Sequence, residues 1–280
     1  MKKITSLLLV TSVALLAAGH QQTSDCSVTR SYIQNQVIVN NIVADTPKTN
    51  LITSGQSFAF GAQYIYANDI SILNIPVGMQ IGYGFGFEVN IPLVSANSVY
   101  NPMTYRFEDN MGLGDISFGP NYHLGALTAP MGLHVATLLY KTATGDVNKG
   151  LGSDVDAISL SYKFTKMIDT KYTVNTLFSY TLNDDTVSGD AYMAMIGGSM
   201  PCLFSDEIST STKLTYFAVA DNKYNFGEVN SADLWIQWDT NKLVTGVPLG
   251  FGIKVPIINE VDGLDADKTV MFYLSITSLF

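Results

Sequence analysis

The sequence predicts an all-β protein, a single antiparallel transmembrane barrel of about 12 strands, and three observations predict it. From about residue 57 onward, apolar and polar residues alternate with a period of two, the mark of strands with one apolar face. Hydrophobic residues make up 47% of the chain and charged residues only 14%, yet no stretch after the leader approaches the roughly 18 apolar residues of a spanning helix. The chain closes on Phe272, Leu274, Ile276 and Phe280 alternating with Tyr273, Ser275, Thr277 and Leu279. A barrel reconciles these facts, because its apolar side chains face lipid one at a time between residues that face a lumen.

In chain order, Lys2 and Lys3, the apolar run Leu7 to Ala18 and the small residues Ala17, Ala18 and Gly19 read as a secretory signal over 1–19. Ser24 and Asp25 before Cys26 exclude a lipoprotein signal. Residues 20–56 carry only the short run Val37, Ile38 and Val39 and are rich in Asn, Gln, Thr and Ser; a periplasmic arm and a segment inside the lumen both remain open. The barrel is expected over 57–280, with strands near 57–66, 70–81, 85–94, 113–124, 131–142, 154–164, 171–182, 190–200, 207–219, 229–239, 248–257 and 269–280. An even count puts both ends of the barrel on the periplasmic side. The odd connections 95–112, 143–153, 220–228 and 258–268 are long and are expected outside the cell, while 82–84, 125–130, 165–170 and 201–206 are short. The location expected from signal and barrel together is the outer membrane of a Gram-negative-type bacterium.

The strands rest on explicit faces. Phe85, Phe87, Val89, Ile91 and Leu93 stand against Gly86, Glu88, Asn90 and Pro92; Ile116, Phe118, Pro120, Tyr122 and Leu124 stand against Asp115, Ser117, Gly119, Asn121 and His123. Tyr172, Val174, Thr176, Phe178 and Tyr180 oppose Thr173, Asn175, Leu177 and Ser179, and Leu249, Phe251, Ile253 and Val255 oppose Gly250, Gly252 and Lys254. Tyr64, Tyr66, Tyr180, Tyr192 and Phe272 fall near outer strand ends; Phe85, Tyr122, Phe164, Tyr172, Trp238 and Phe280 fall near periplasmic ones. Two aromatic girdles at headgroup level explain this, and plain strand propensity is the alternative.

Two glycine motifs stand at the outer ends of the expected fourth and sixth strands, Gly112-Leu113-Gly114-Asp115 and Gly150-Leu151-Gly152-Ser153-Asp154, with Lys141-Thr142-Ala143-Thr144-Gly145-Asp146 between them. In this order and spacing they resemble the outer-membrane transporter family named for the meta-pathway of phenol degradation, which is distantly similar to long-chain fatty acid outer-membrane channels. The resemblance covers roughly 57–280 and is carried by 112–164, where Thr142-Ala143-Thr144 departs from that family's usual segment. It implies a barrel that passes hydrophobic or aromatic small molecules. Read from the residues alone, the glycines permit bends and bulges at a barrel rim, and Asp115 and Asp154 hydrogen-bond turn backbone.

Assigning the apolar set outward leaves candidate lumen residues Glu88, Asp115, Asn121, Tyr140, Lys163, Met193, Met195, Lys213, Phe217, Asp233, Trp235, Lys254 and Tyr273, with His123, Leu138, Asn175, Leu177 and Met271 on the same face. Polar members are expected in any such barrel, whereas the aromatic and Met members fit a site for an apolar solute or the filled interior of a narrow barrel. The function expected is therefore passive uptake of hydrophobic or aromatic small molecules, with a general-diffusion or structural barrel as the rival.

Other chemistries lack their residues. A twelve-strand barrel is also the architecture of the outer-membrane phospholipase, but here Gly125 and Ala136 follow His123 and His134 where that enzyme needs Ser, and both histidines flank a periplasmic turn. No catalytic residue and no cofactor is expected. Asp146, Asn148 and Gly150 loosely follow a calcium loop, but its twelfth position is Ala157 where Glu is required, and no His and Cys cluster suggests zinc. A formal charge of −9, or −11 once Lys2 and Lys3 leave with the signal, argues against nucleic acid. The partners expected are outer-membrane lipids, the barrel-assembly machinery acting on Phe280, and an apolar solute. Cys26 and Cys202 would tie the arm to the barrel base as a disulfide or remain free thiols.

Overall fold

The computed structural model describes residues 58–279 apart from 68–69, 102–104, 126–128, 154, 169–171, 185–188, 203–204, 221–227, 241–248, 262–263 and 266–267. The signal, the 20–56 arm, Phe280 and the Cys26–Cys202 pairing therefore lie outside the described residues.

The first hairpin shows how sequence becomes wall. β1 (Phe58–Ala67) pairs with β2 (Ile70–Gly82) so that Ile65 faces Ile72 and Gln63 faces Asn74, all turned inward, while Tyr64 and Tyr66 point out. The turn to β3 (Phe85–Asn101) is the two residues Tyr83 and Gly84, both at positive φ (50° and 84°), the twist a tight hairpin requires. Gly84 N- and C-terminal strands are locked to the next element by His123 N–H donating to the Gly84 carbonyl at 2.7 Å.

The chain continues through β4 (Arg106–Leu113), β5 (Ser117–Gly125), β6 (Leu133–Lys141), β7 (Ala157–Ile168), β8 (Tyr172–Asn183), β9 (Ala191–Cys202), β10 (Ser205–Val219), β11 (Val229–Thr240), β12 (Leu249–Val261), the two-residue β13 (Leu264–Asp265) and β14 (Met271–Leu279). Each strand pairs antiparallel with its neighbours, and β14 returns to β1 from Ala59↔Leu279 to Tyr66↔Phe272, closing the sheet. β4 and β5 are one strand interrupted at 114–116, where Gly114 N–H still donates to Pro92 O at 2.8 Å. With those two merged and β13 set aside, the barrel has 12 strands.

One expected loop is different. Over 95–112 the chain is mostly a hairpin, in which β3 runs on to Asn101 and β4 pairs back from Asn101↔Arg106 to Leu93↔Leu113. β3 has 17 residues, about 56 Å at ~3.3 Å each, well beyond the ~25 Å apolar band of such barrels. Ala96 and Val99 here pack inward on the Leu151 cluster amid Ser95, Asn97, Glu108, Asp109 and Asn110, and the register shift between Ala96 and Val99 breaks the period of two that would betray the strand. β12 likewise runs past the expected end at 257 to Val261, with a register shift between Ala232 and Asp233 of the partner strand.

The outer face carries Leu160, Phe178 and Ile196 at 58%, 58% and 59% exposure among many other large apolar side chains. A continuous apolar exterior of this kind is stable only in lipid. The core is the lumen itself, filled by two clusters of inward side chains.

Candidate functional site

The lumen is built from alternate residues of each strand, and most of the expected lining set lies there. Glu88, Asp115, Asn121, Met193, Met195, Phe217, Asp233, Trp235, Lys254 and Tyr273 are all buried on the inward face; Lys163 and Lys213 share that face and are half-buried. Tyr140 does not. It is 38% exposed on the outer face, as is Leu138, and it pairs with the outward Phe118 and Ile158. Both faces of β6 are apolar, Val135 and Leu139 against Leu138 and Tyr140, so its own alternation is silent and the neighbouring registers decide. Outside, the Tyr140 ring meets Phe118 edge-on at 5.7 Å and its hydroxyl donates to Asp156 at 2.6 Å.

At the extracellular end the connection 142–156 folds inward across the mouth, and Asp115 holds it. The Asp115 carboxylate accepts from Gly145 N–H at 2.9 Å, Ser153 N–H at 2.8 Å and the Ser153 hydroxyl at 2.5 Å, with Lys141 Nζ 3.7 Å away. Lys141 also donates to Ser153 Oγ at 2.7 Å. The interruption between β4 and β5 contributes more ties: Thr144 Oγ1 donates to Gly114 O at 2.8 Å and accepts from Ile116 N–H at 2.9 Å, while Thr142 N–H donates to Ile116 O at 2.8 Å. At the rim Asp156 accepts Ala143 N–H at 2.7 Å.

This docking explains the glycine motifs. A short 3₁₀ turn, Val147–Lys149, is capped by Asp146 and ended by Gly150 at φ 70°. That left-handed residue turns Leu151 into the barrel, where it is 4% exposed in one cluster with Ile65, Ile70, Ile72, Val94, Ala96, Trp235 and Tyr273. A methyl at Gly112 would come within 2.8 Å of Leu151 Cδ1, and one at Gly145 within 2.6 Å of Gly152 Cα. The glycines are thus clearances for an inserted loop as well as rim residues. Leu151, Gly145, Gly152 and Ser153 were not among the expected lining residues; their motif was visible in sequence, but the direction of the loop was not.

Below the loop, one ion pair is buried in the wall. Lys254 Nζ lies 2.7 Å from Asp233 and 5.2 Å from the Trp235 ring centroid, and both ion-pair partners are almost fully buried. The wall from β8 to β11 carries an apolar cluster of Leu177, Ala191, Met193, Met195, Phe217 and Val229. Between them and Lys141 is a small inner cavity of about 60 Å³, lined by Ser159, Ser179 and Thr181 together with Leu139, Met193 and Phe217. The hydroxyls form a short ladder, Thr181 to Ser159 at 3.0 Å and Ser159 to Ser179 at 3.3 Å. Nearer the periplasm, Asn121 Nδ2 donates to Glu88 Oε2 at 3.3 Å and His123 Nε2 lies 3.1 Å from Asn121 Oδ1. His134 is on the outer face, bonded to the Tyr162 hydroxyl at 2.5 Å and to Met131 O at 2.9 Å.

A closed, lipid-exposed antiparallel barrel whose filled lumen holds an inserted extracellular loop defines the class: this is an outer-membrane β-barrel. No protein-family model matches the chain, and no curated protein matches its sequence. Among solved structures, an outer-membrane channel from Pseudomonas putida F1 aligns with a TM-score of 0.62 at 14% identity, over 82% of this chain and 97% of its own. The NanC porin aligns at 0.53 and 7% identity, over 80% and 100% of the two chains. The translocator domain of the autotransporter NalP from Neisseria meningitidis aligns at 0.52 and 8%, over 90% and 98%. Channel, porin and translocator share this architecture, so the likeness is one of fold.

Proposed function

We propose that the protein is a passive outer-membrane channel for uncharged hydrophobic or aromatic small molecules. The observation that carries this reading is the composition of the lumen beneath the inserted loop. Asp115 with Lys141 and Asp233 with Lys254 stand in pairs, and the inner cavity beside Lys141 is walled by Leu139, Met193 and Phe217. Such a path costs an ion its hydration without offering a continuous replacement, whereas an apolar solute is matched by aromatic and Met side chains around a few polar groups. The resemblance of the glycine motifs to the phenol meta-pathway transporters supports the same solute class. Membrane lipids surround the aromatic exterior in this reading, and the barrel-assembly machinery inserts it.

The rival is a general-diffusion or structural barrel. Uptake of a radiolabelled aromatic hydrocarbon such as toluene, by cells whose outer membrane contains or lacks the chain, separates the two. The proposed channel raises toluene entry and leaves entry of a charged analogue, benzoate, unchanged. Equal acceleration of toluene, benzoate and small sugars would establish general diffusion in its place.

A further inference from the structure

Immediately on the periplasmic side of the loop, the lumen wall carries polar side chains that nothing described so far uses. Ile65, Ile72 and Val94 form one cross-strand row, the apolar collar against which Leu151 is buried. The next inward row is Gln63, Asn74 and Pro92, and the one after that contains Pro76, Asn90 and Ser117, since Gln63 pairs with Asn74, Asn74 with Pro92, Pro76 with Asn90 and Asn90 with Ser117. Gln63 with Asn74, and Asn90 with Ser117, are direct pairs whose Cβ atoms lie about 5 Å apart, and Asn74 and Asn90 are diagonal neighbours at about 7–8 Å, so the four polar side chains form one patch over β1, β2, β3 and β5.

All four are buried, Asn74 and Asn90 completely. Among the described residues, Gln63 Oε1, both amide atoms of Asn74, both of Asn90 and Ser117 Oγ have no hydrogen-bond partner. A buried carboxamide with neither end satisfied is costly, and two neighbouring ones on the inward face of the barrel are not explained by wall stability. An apolar residue at either position would pack the same wall without that cost.

We propose that Gln63, Asn74, Asn90 and Ser117 form a solute subsite that recognises an uncharged hydroxyl or amide group on an otherwise apolar molecule. This deepens the transport reading and rests on it. Carboxamides donate and accept at once, so they match a neutral group that also does both, and they offer no countercharge to a carboxylate or an ammonium. The collar of Ile65, Ile72 and Val94 lies next to the patch and is covered by Leu151, so the apolar body of the solute takes the place of Leu151 there while the polar group reaches the amides. Hydrocarbon without such a group would leave the amides unpaired, and discrimination by an unpaired buried group is strong.

The test is equilibrium binding to the purified full-length protein, which reads the subsite without requiring transport. Ligand-observed NMR compares benzyl alcohol with toluene, each against protein-free detergent. Benzyl alcohol is expected to bind about tenfold more tightly than toluene, the worth of a well-made buried hydrogen bond. Asn74→Leu and Asn90→Leu should each abolish that preference by weakening benzyl alcohol binding. Asn74→Ala and Asn90→Ala serve as second variants, and resistance of unheated protein to SDS unfolding reports the intact barrel. Equal binding of the two solutes by the unaltered protein would overturn the subsite and leave the amides serving water only. Equal loss of both solutes in folded variants would overturn it in favour of a wall role. Benzyl alcohol preference without any toluene uptake in cells would sink the transport reading and leave the subsite standing; toluene uptake without the preference would do the reverse.

Discussion

Asp115 concentrates more of the architecture than any other side chain described. Three donors from the loop converge on one carboxylate almost fully removed from water, and hydrogen bonds to a charged group contribute about 1.5–3 kcal/mol each where they are fully made. Asp115→Ala is therefore expected to release 142–156 from the mouth, and ion conductance in planar bilayers should rise severalfold while the SDS-resistant barrel persists. Asp156 makes the weaker outer tie. The Tyr140 hydroxyl, and then Ala143 N–H, hold its carboxyl below the ordinary value of 3.8. A depressed folded value means the tie is present above the ordinary carboxylate range and lost as pH falls through the lowered value. Conductance should thus stay flat from neutral pH to about pH 4 and rise below it; Asp156→Asn should remove the Asp156 contribution to that rise, and an unchanged acid limb in this variant would refute it.

The inserted connection and the strands around it show which elements could be read in advance. β5 and β8 mostly separate an apolar row from a polar one, and their inward residues, Ser117, Asn121, Asn175 and Leu177 among them, lie where the alternation puts them. β6 has apolar residues on both faces, so Tyr140 was assigned to the wrong side until pairing with Ile158 turned it outward. The extension of β3 beyond Val94 was hidden for another reason, since the register shift between Ala96 and Val99 interrupts its alternation. Asn90 alternates cleanly with Val89 and Ile91, but that its amide would lack a partner is a tertiary fact that no spacing encodes. The same holds for Gly145 and Gly152, whose close approach appears only once Asp115 draws the two together. Gly145→Ala would thrust a methyl to within 2.6 Å of Gly152 Cα. It should reproduce the conductance of Asp115→Ala, with no change in strand content by circular dichroism.

Over the whole molecule, the barrel inverts a soluble protein: its apolar face meets lipid, and its lumen is a core that contains paired charge. Lys254 and Asp233 fit that scheme, buried at 2.7 Å from one another beside Trp235. Lys254→Met alone leaves an uncompensated buried carboxylate and should cost about 3–5 kcal/mol in urea unfolding. The double change Lys254→Met with Asp233→Leu should recover most of that loss, whereas additive losses would show that the pair is not what holds that wall. Under the proposed function, the Asp115–Lys141 and Asp233–Lys254 pairs and the clamped loop above them keep the lumen closed to ions. Planar-bilayer recording of the intact, full-length protein tests this most directly. The account predicts a low, mostly silent ion conductance that opens when Asp115 is replaced by Ala; a large, steady and weakly selective conductance in the unaltered protein would contradict it.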